Sequence, residues 1–238
     1  MSGDIIAFKL TGDYAHFSHP ATIYSSLTYP VPPKTTIMGL LGAVIGLDEY
    51  WELENLLYSV KINSQIRKKI FVFNGIKFAL STNFNLEEGY QNSSEKKQFY
   101  RELLCTPSYT IFLNLENVED KFKKKIISSL REHKTAFTPY LGINFCIADF
   151  EFVEIKKCEK VTKSLVEVAT FVLQEDFIFQ PDNYDVRLTS SRMACKVEEG
   201  RIFKDFKDFV IEINGGQSLN AKNSGNIYEI DGDTVCFV

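Results

Sequence analysis

Between Tyr14 and Pro33 the chain carries two histidines (His16, His19), the rings Tyr14, Phe17, Tyr24 and Tyr29 and several hydroxyls, then runs directly into Lys34-Thr35-Thr36. Pro32-Pro33 suits the first positions of a helix, because proline's φ is already set and its missing N–H costs nothing there. A lysine and two hydroxyls beside unpaired helix N–H groups and the positive end of the dipole make an anion site. Rings next to it offer stacking faces. Phosphate contact plus stacking is how proteins hold single-stranded nucleic acid, at ~1–3 kcal/mol per stacked base. The same rings and threonines would serve as core packing and caps, so both roles remain open from these residues alone.

Other chemistries find less support. The chain has no phosphate-binding glycine loop, no dinucleotide fingerprint, no Gly-x-Ser-x-Gly elbow and no His-Glu-x-x-His. His16-x-x-His19 supplies two ligands where zinc wants four, and no cysteine is near in sequence. No metal and no cofactor are expected. Five scattered cysteines without a C-x-x-C pair fit reduced thiols, and hence a cytoplasmic chain. No apolar run approaches the ~20 residues a membrane span needs, so no membrane partner is expected. Metal-free RNA cleavage would need a base for the 2′-OH proton and a cation opposite, roles open to His16, His19 or His133 with Lys34 or Lys134 if they converge.

Charge adds a second candidate surface. The net charge is −4, but residues 198–238 hold that whole excess. Asn55 to Leu86 contains Lys61, Arg67, Lys68, Lys69 and Lys77 and no acid. This reads either as a phosphate-binding stripe or as a solvated strand face.

The elements that must position these groups follow from periodicity. Asp4 to Thr11 alternates as a strand. Ile37, Leu40, Leu41, Val44 and Ile45 predict a helix over 34–45, with Gly46 as its stop and the other glycines suited to close contact. Asn74-Gly75 predicts a hairpin between strands over 60–70 and 71–80. Residues 83–106 form a polar, projecting insertion, followed by a strand over 108–115. A second helix starts at an Asn117 cap, with Val118, Phe122, Ile126, Ile127 and Leu130 on one side. A strand over 145–155 completes a β-α-β-β-α-β order of ferredoxin-like (RRM-like) type. Short strands fill 165–173, 177–179, 186–189, 193–198, 209–213, 227–230 and 235–238, without a clear helix. The acidic 198–238 region is expected away from the RNA path.

Tyr14-Ala-His-Phe-Ser-His-Pro20, the segment from Ser25 through Ser-Leu-Thr-Tyr-Pro-Val-Pro-Pro-Lys-Thr-Thr to Leu47, the stretch Leu103 to Phe112 and the Pro139-Tyr-Leu-Gly-Ile-Asn-Phe-Cys146 loop together resemble the CRISPR-associated Cas five family of the RAMP superfamily. Length and flavour are most similar to its type I-B branch. The resemblance covers about 1–155. It implies an α+β chain: a ferredoxin-like RAMP domain over 1–155, a thumb insertion at about 83–106, and a β-rich region over 156–238 packed on it. It further implies a non-catalytic subunit of a Cascade surveillance complex that caps the five-prime handle of the crRNA. Its neighbours would be the backbone and large subunits, with target DNA reached at most indirectly. The residues then assigned to RNA are His16, Phe17, His19, Tyr29, Lys34, Thr35, Thr36, Arg67, Lys68, Lys69, Tyr140, Gly142 and Asn144. The alternative is a metal-independent endoribonuclease processing precursor crRNA. One branch of the family cuts with Tyr, Lys and His, and here the adjacent pair His133-Lys134 has the reverse of that branch's order.

Overall fold

Alternation in the first strand sorts its side chains onto two surfaces, and both become core. The computed structural model describes residues 4–20, 22, 26–76, 84–85, 89–90, 96–179 and 186–238. Its strands in the N-terminal two thirds are β1 (Ile5–Thr11), β2 (Tyr14–Ala15), β3 (Leu57–Ile62), β4 (Lys68–Ile76), β5 (Phe84–Asn85), β6 (Gly89–Tyr90), β7 (Lys96–Cys105), β8 (Ser108–Asn114) and β9 (Asp149–Val153). Then come β10 (Cys158–Lys160), β11 (Leu165–Val168), β12 (Val172–Leu173), β13 (Leu188–Glu198), β14 (Ile202–Glu212), β15 (Leu219–Lys222), β16 (Ile227–Ile230) and β17 (Asp233–Cys236). The helices are α1 (Lys34–Ile45) and α2 (Asp120–Arg131). The chain is thus a mixed α/β fold made mostly of strands.

Four strands form the central sheet in the order β3-β8-β1-β9, every pair antiparallel. Ile6, Phe8 and Leu10 of β1 face the helices and join the main core with Ile37, Leu41 and Val44 of α1 and Phe122, Ile126 and Leu130 of α2. Truncating Leu41 or Ile126 to alanine would cost about 2–5 kcal/mol. Ile5 and Ala7 face the other way, and there Ile230, Val235 and Phe237 cover them. The Lys61–Asp233 ion pair at 2.6 Å pins that C-terminal cover to the sheet. Beyond it the same sheet face is polar, with Lys9 and Glu151 3.4 Å apart. The main core also takes Met193, Cys195, Phe209 and Ile211, so the C-terminal region shares it.

Two long ribbons leave this body. β4 pairs with β7, and β13 with β14. The expected Asn74-Gly75 turn is absent: Asn74 and Gly75 sit inside β4, opposite Gln98 and Lys97. Glycine serves close approach there, since a Cβ on Gly75 would lie 2.8 Å from the Phe99 ring. The projecting element is therefore larger than residues 83–106 and begins at Lys68. Lys77, residues 78–83, 86–88 and 91–95, and Tyr24 lie outside the described residues.

The first helix spans the predicted residues and stops at left-handed Gly46. The second starts at Asp120, not after Asn117, because a tight turn from Val118 N–H to Leu115 O occupies the preceding residues. The strand expected over 145–155 begins at Asp149, and those expected over 186–189 and 193–198 merge into β13. Only an isolated bridge at Phe177 marks the strand expected over 177–179. Among the described residues no helix is long and apolar enough to cross a membrane.

Candidate nucleic-acid interface

The aromatic loop before α1 is held by bonds that use up much of its chemistry. His16 N–H donates to Leu141 O at 3.0 Å, and Tyr29 N–H to Phe17 O at 2.9 Å. The His16 ring keeps only 2% of its surface exposed, and its Nδ1 meets Glu102 O at 2.8 Å. Burial holds its pKa below 6.5, outweighing the backbone bond, and nearby Arg101 adds to the lowering. Phe17 is enclosed in the core, and the Tyr29 hydroxyl donates to Arg192 O at 2.6 Å on β13. Lys34, 7% exposed, donates to Glu54 O at 2.9 Å, and burial lowers its pKa. His16, Phe17, Tyr29 and Lys34 are therefore positioning residues in this structure, because enclosure and existing partners leave them little surface for a phosphate. His19 lies half-buried against the Tyr29 ring.

Glu102 is the residue that sequence reasoning missed. Its carboxylate accepts from Thr28 N–H at 3.0 Å and from Lys68 Nζ at 3.1 Å, while its carbonyl faces His16. Lys68 also donates to Thr28 O at 2.6 Å. The only available signal was indirect: an acid-free stripe must draw its partner from elsewhere in the chain.

Gly142 ties the Pro139–Cys146 loop to the aromatic loop. Its φ is 87°, and a Cβ there would stand 1.9 Å from His16 O. That tight seat presents Tyr140, Asn144 and Phe145 to solvent, with Phe145 49% exposed.

What remains accessible gathers on one face of the β4–β7 ribbon. Register puts Lys69, Phe71 and Phe73 opposite Leu103, Arg101 and Phe99. Tyr14 meets Phe71 edge-on at 5.1 Å, and Phe73 meets Phe145 at 5.6 Å. Lys69 sits over the Phe71 ring at 5.8 Å. Exposed Arg67 enters the ribbon two residues before Lys69. Among the described residues Arg67, Lys69 and Arg101 have no acidic partner. Interleaved cations and rings suit a single strand of nucleic acid, which needs charge for its backbone and π-faces for its bases. The ribbon's other face differs, with exposed Ile70, Val72 and Tyr100.

Behind the same loop lies a cavity of about 320 Å³ whose walls include Thr35 and Thr36 of α1, Asp48, Tyr140, Arg201 and Phe203. The acidic C-terminal region is thus away from the predicted site at β16–β17 but reaches it at the tip of β13–β14.

Burial pushes Cys146 and Cys195 up to about 11. His133 stacks on Phe150 and faces Asp149 at 3.3 Å, and Lys134 pairs with Glu132 at 2.7 Å. Among the described residues no side-chain hydrogen bond joins a histidine to Lys34 or Lys134, and no group of three or more His, Cys, Asp or Glu is placed to hold a metal.

Residues 5–202 match the model of a family described as CRISPR-associated protein (Cas_Cas5). The chain belongs to that family. No curated protein sequence matches this family member. Among solved structures it is similar to a chain of a CRISPR RNA-guided surveillance complex, with TM-score 0.56 and 11% identity over 93% of this chain and 92% of that one. It is also similar to a CRISPR protein from Archaeoglobus fulgidus, with TM-score 0.53 and 16% identity over 97% and 98% of the two chains. At such identities the likeness speaks to the fold.

Proposed function

We propose that this chain is a crRNA-binding subunit of a type I Cascade surveillance complex, capping the five-prime handle of the crRNA in antiviral defence and catalysing no cleavage itself. One observation carries the reading: Lys69 and Arg101, with Arg67 at the ribbon's entry, have no acidic partner among the described residues and stand beside Tyr14, Phe71, Phe73 and Phe145. Family membership supports the CRISPR context. The strand-helix-strand order and the β3-β8-β1-β9 sheet support reading the N-terminal body as a ferredoxin-like RAMP domain with the β4–β7 ribbon as its thumb. The complex named in the similar structure supports a multi-subunit setting, in which backbone and large subunits would take the apolar surfaces around Ile70 and Val72. Such a subunit would work in the cytoplasm and need no metal or cofactor. The separation of His133 and Lys134 into pairs with acids supports a non-catalytic role over an endoribonuclease.

Fluorescence anisotropy with repeat-derived RNA in chelator tests this. Alanine at Arg67, Lys69 and Arg101 together should make the dependence of log affinity on log salt shallower by about 2, at ~0.7 per phosphate on a single strand. Equal binding by the triple variant at every salt sinks the reading. Cyclic-phosphate ends at one site in the RNA would favour the endoribonuclease instead.

A further inference from the structure

The cavity behind the Pro139–Cys146 loop is built from three separate parts of the chain. Thr35 and Thr36 come from the first turn of α1, Tyr140 from the loop, and Arg201 and Phe203 from the tip of the β13–β14 ribbon. Thr35 is buried to all but 8% of its surface, Thr36 is half-buried, and both line the cavity wall. Arg201 is exposed and has no acidic partner among the described residues. It holds φ 59°, next to Gly200 at φ 74°, in the three-residue turn between Glu198 and Ile202. Tyr140 and Phe203 each leave close to half their surface open.

We propose that this cavity seats one nucleotide of the bound RNA, separated from its neighbours, with its base against Tyr140 and Phe203 and its phosphate on Arg201. The inference rests on the RNA-binding reading and extends it to a surface that the charge asymmetry had placed away from RNA. A volume of about 320 Å³ is of the size of one nucleotide. Asp48, also on the wall, repels a phosphate, whereas Arg201 attracts one, so the backbone is assigned to Arg201. The Thr35 and Thr36 hydroxyls are left for ribose or base edges.

The experiment uses the full-length chain with repeat-derived RNA in which each nucleotide in turn is made abasic. Arg201→Ala should lower affinity about tenfold, the value of one charge-assisted contact. Phe203→Ala should lower it at least about fivefold, from a lost stacking face. At a single RNA position, and only there, the abasic loss should be smaller in Phe203→Ala than in wild type, because both changes remove the Phe203 contact while Tyr140 keeps its own. Both side chains are exposed, so melting temperatures equal to wild type accompany these losses. Wild-type affinity in both variants, or abasic losses that add at every position, overturns the nucleotide seat while the ribbon interface stands. Absence of RNA binding by the wild-type chain removes both.

Discussion

Replacing Gly142 by alanine should damage both stability and RNA binding. A side chain at φ 87° costs about 1–2 kcal/mol in left-handed strain. The new Cβ would lie 1.9 Å from His16 O and 2.8 Å from the His16 carbonyl carbon, so backbone must move. That movement strains the bond from His16 N–H to Leu141 O at 3.0 Å and unseats Leu141, which is fully buried. With about 1 kcal/mol for the bond and 1–2 for repacking, the loss is about 3–5 kcal/mol. For a chain of this size that lowers the melting temperature by about 6–20 °C. Thermal unfolding followed by circular dichroism reads it, with RNA affinity measured well below the transition, where displacement of Tyr140 and Phe145 should still weaken binding. The control is Gly39→Ala in α1, where no atom lies within 4 Å of an added Cβ and stability should rise by about 0.5–1 kcal/mol. If Gly142→Ala melts within about 2 °C of wild type, the coupling of the two loops is wrong.

Three further outcomes are expected. Since burial lowers the His16 pKa below 6.5, the unfolded chain takes up a proton first as pH falls, so stability is lost below about pH 6.5. His16→Gln should therefore narrow the gap in melting temperature between about pH 7.5 and pH 5.5, and an unchanged gap refutes the assignment. Glu102→Leu leaves Thr28 N–H without its acceptor, while Lys68 keeps Thr28 O, and should lower the melting temperature by about 2–12 °C, at ~1–3 kcal/mol for one orphaned donor. Lys9→Ala, which breaks an ion pair of two exposed groups, should change stability by less than about 0.5 kcal/mol in the same assay.

Local signals in the sequence specified what local physics decides. Helix α1 was legible to the residue because proline start, apolar period and left-handed glycine stop all agree there. Asn74-Gly75 misled because a turn dipeptide and a strand glycine beneath a cross-strand ring look identical until the partner strand is known, and that partner, Phe99, is 24 residues away. Lys34 beside two threonines had the composition of an anion site, but its exposure depended on Glu54 and on β13, which no local pattern reveals. Gly39 was expected at a close contact and instead borders open space. Arg201 was counted only as part of an acidic tail, and its arrival beside Thr36 and Tyr140 follows from the length of β13 and β14.

The most direct test of the central claim is photo-crosslinking of the chain to repeat RNA carrying 4-thiouridine, with adducts mapped by mass spectrometry. The ribbon-and-loop interface predicts adducts at Tyr14, Phe71, Phe73, Tyr140 or Phe145. Adducts confined to the polar sheet face around Lys9 and Thr110, or to the β16–β17 cover, would contradict it.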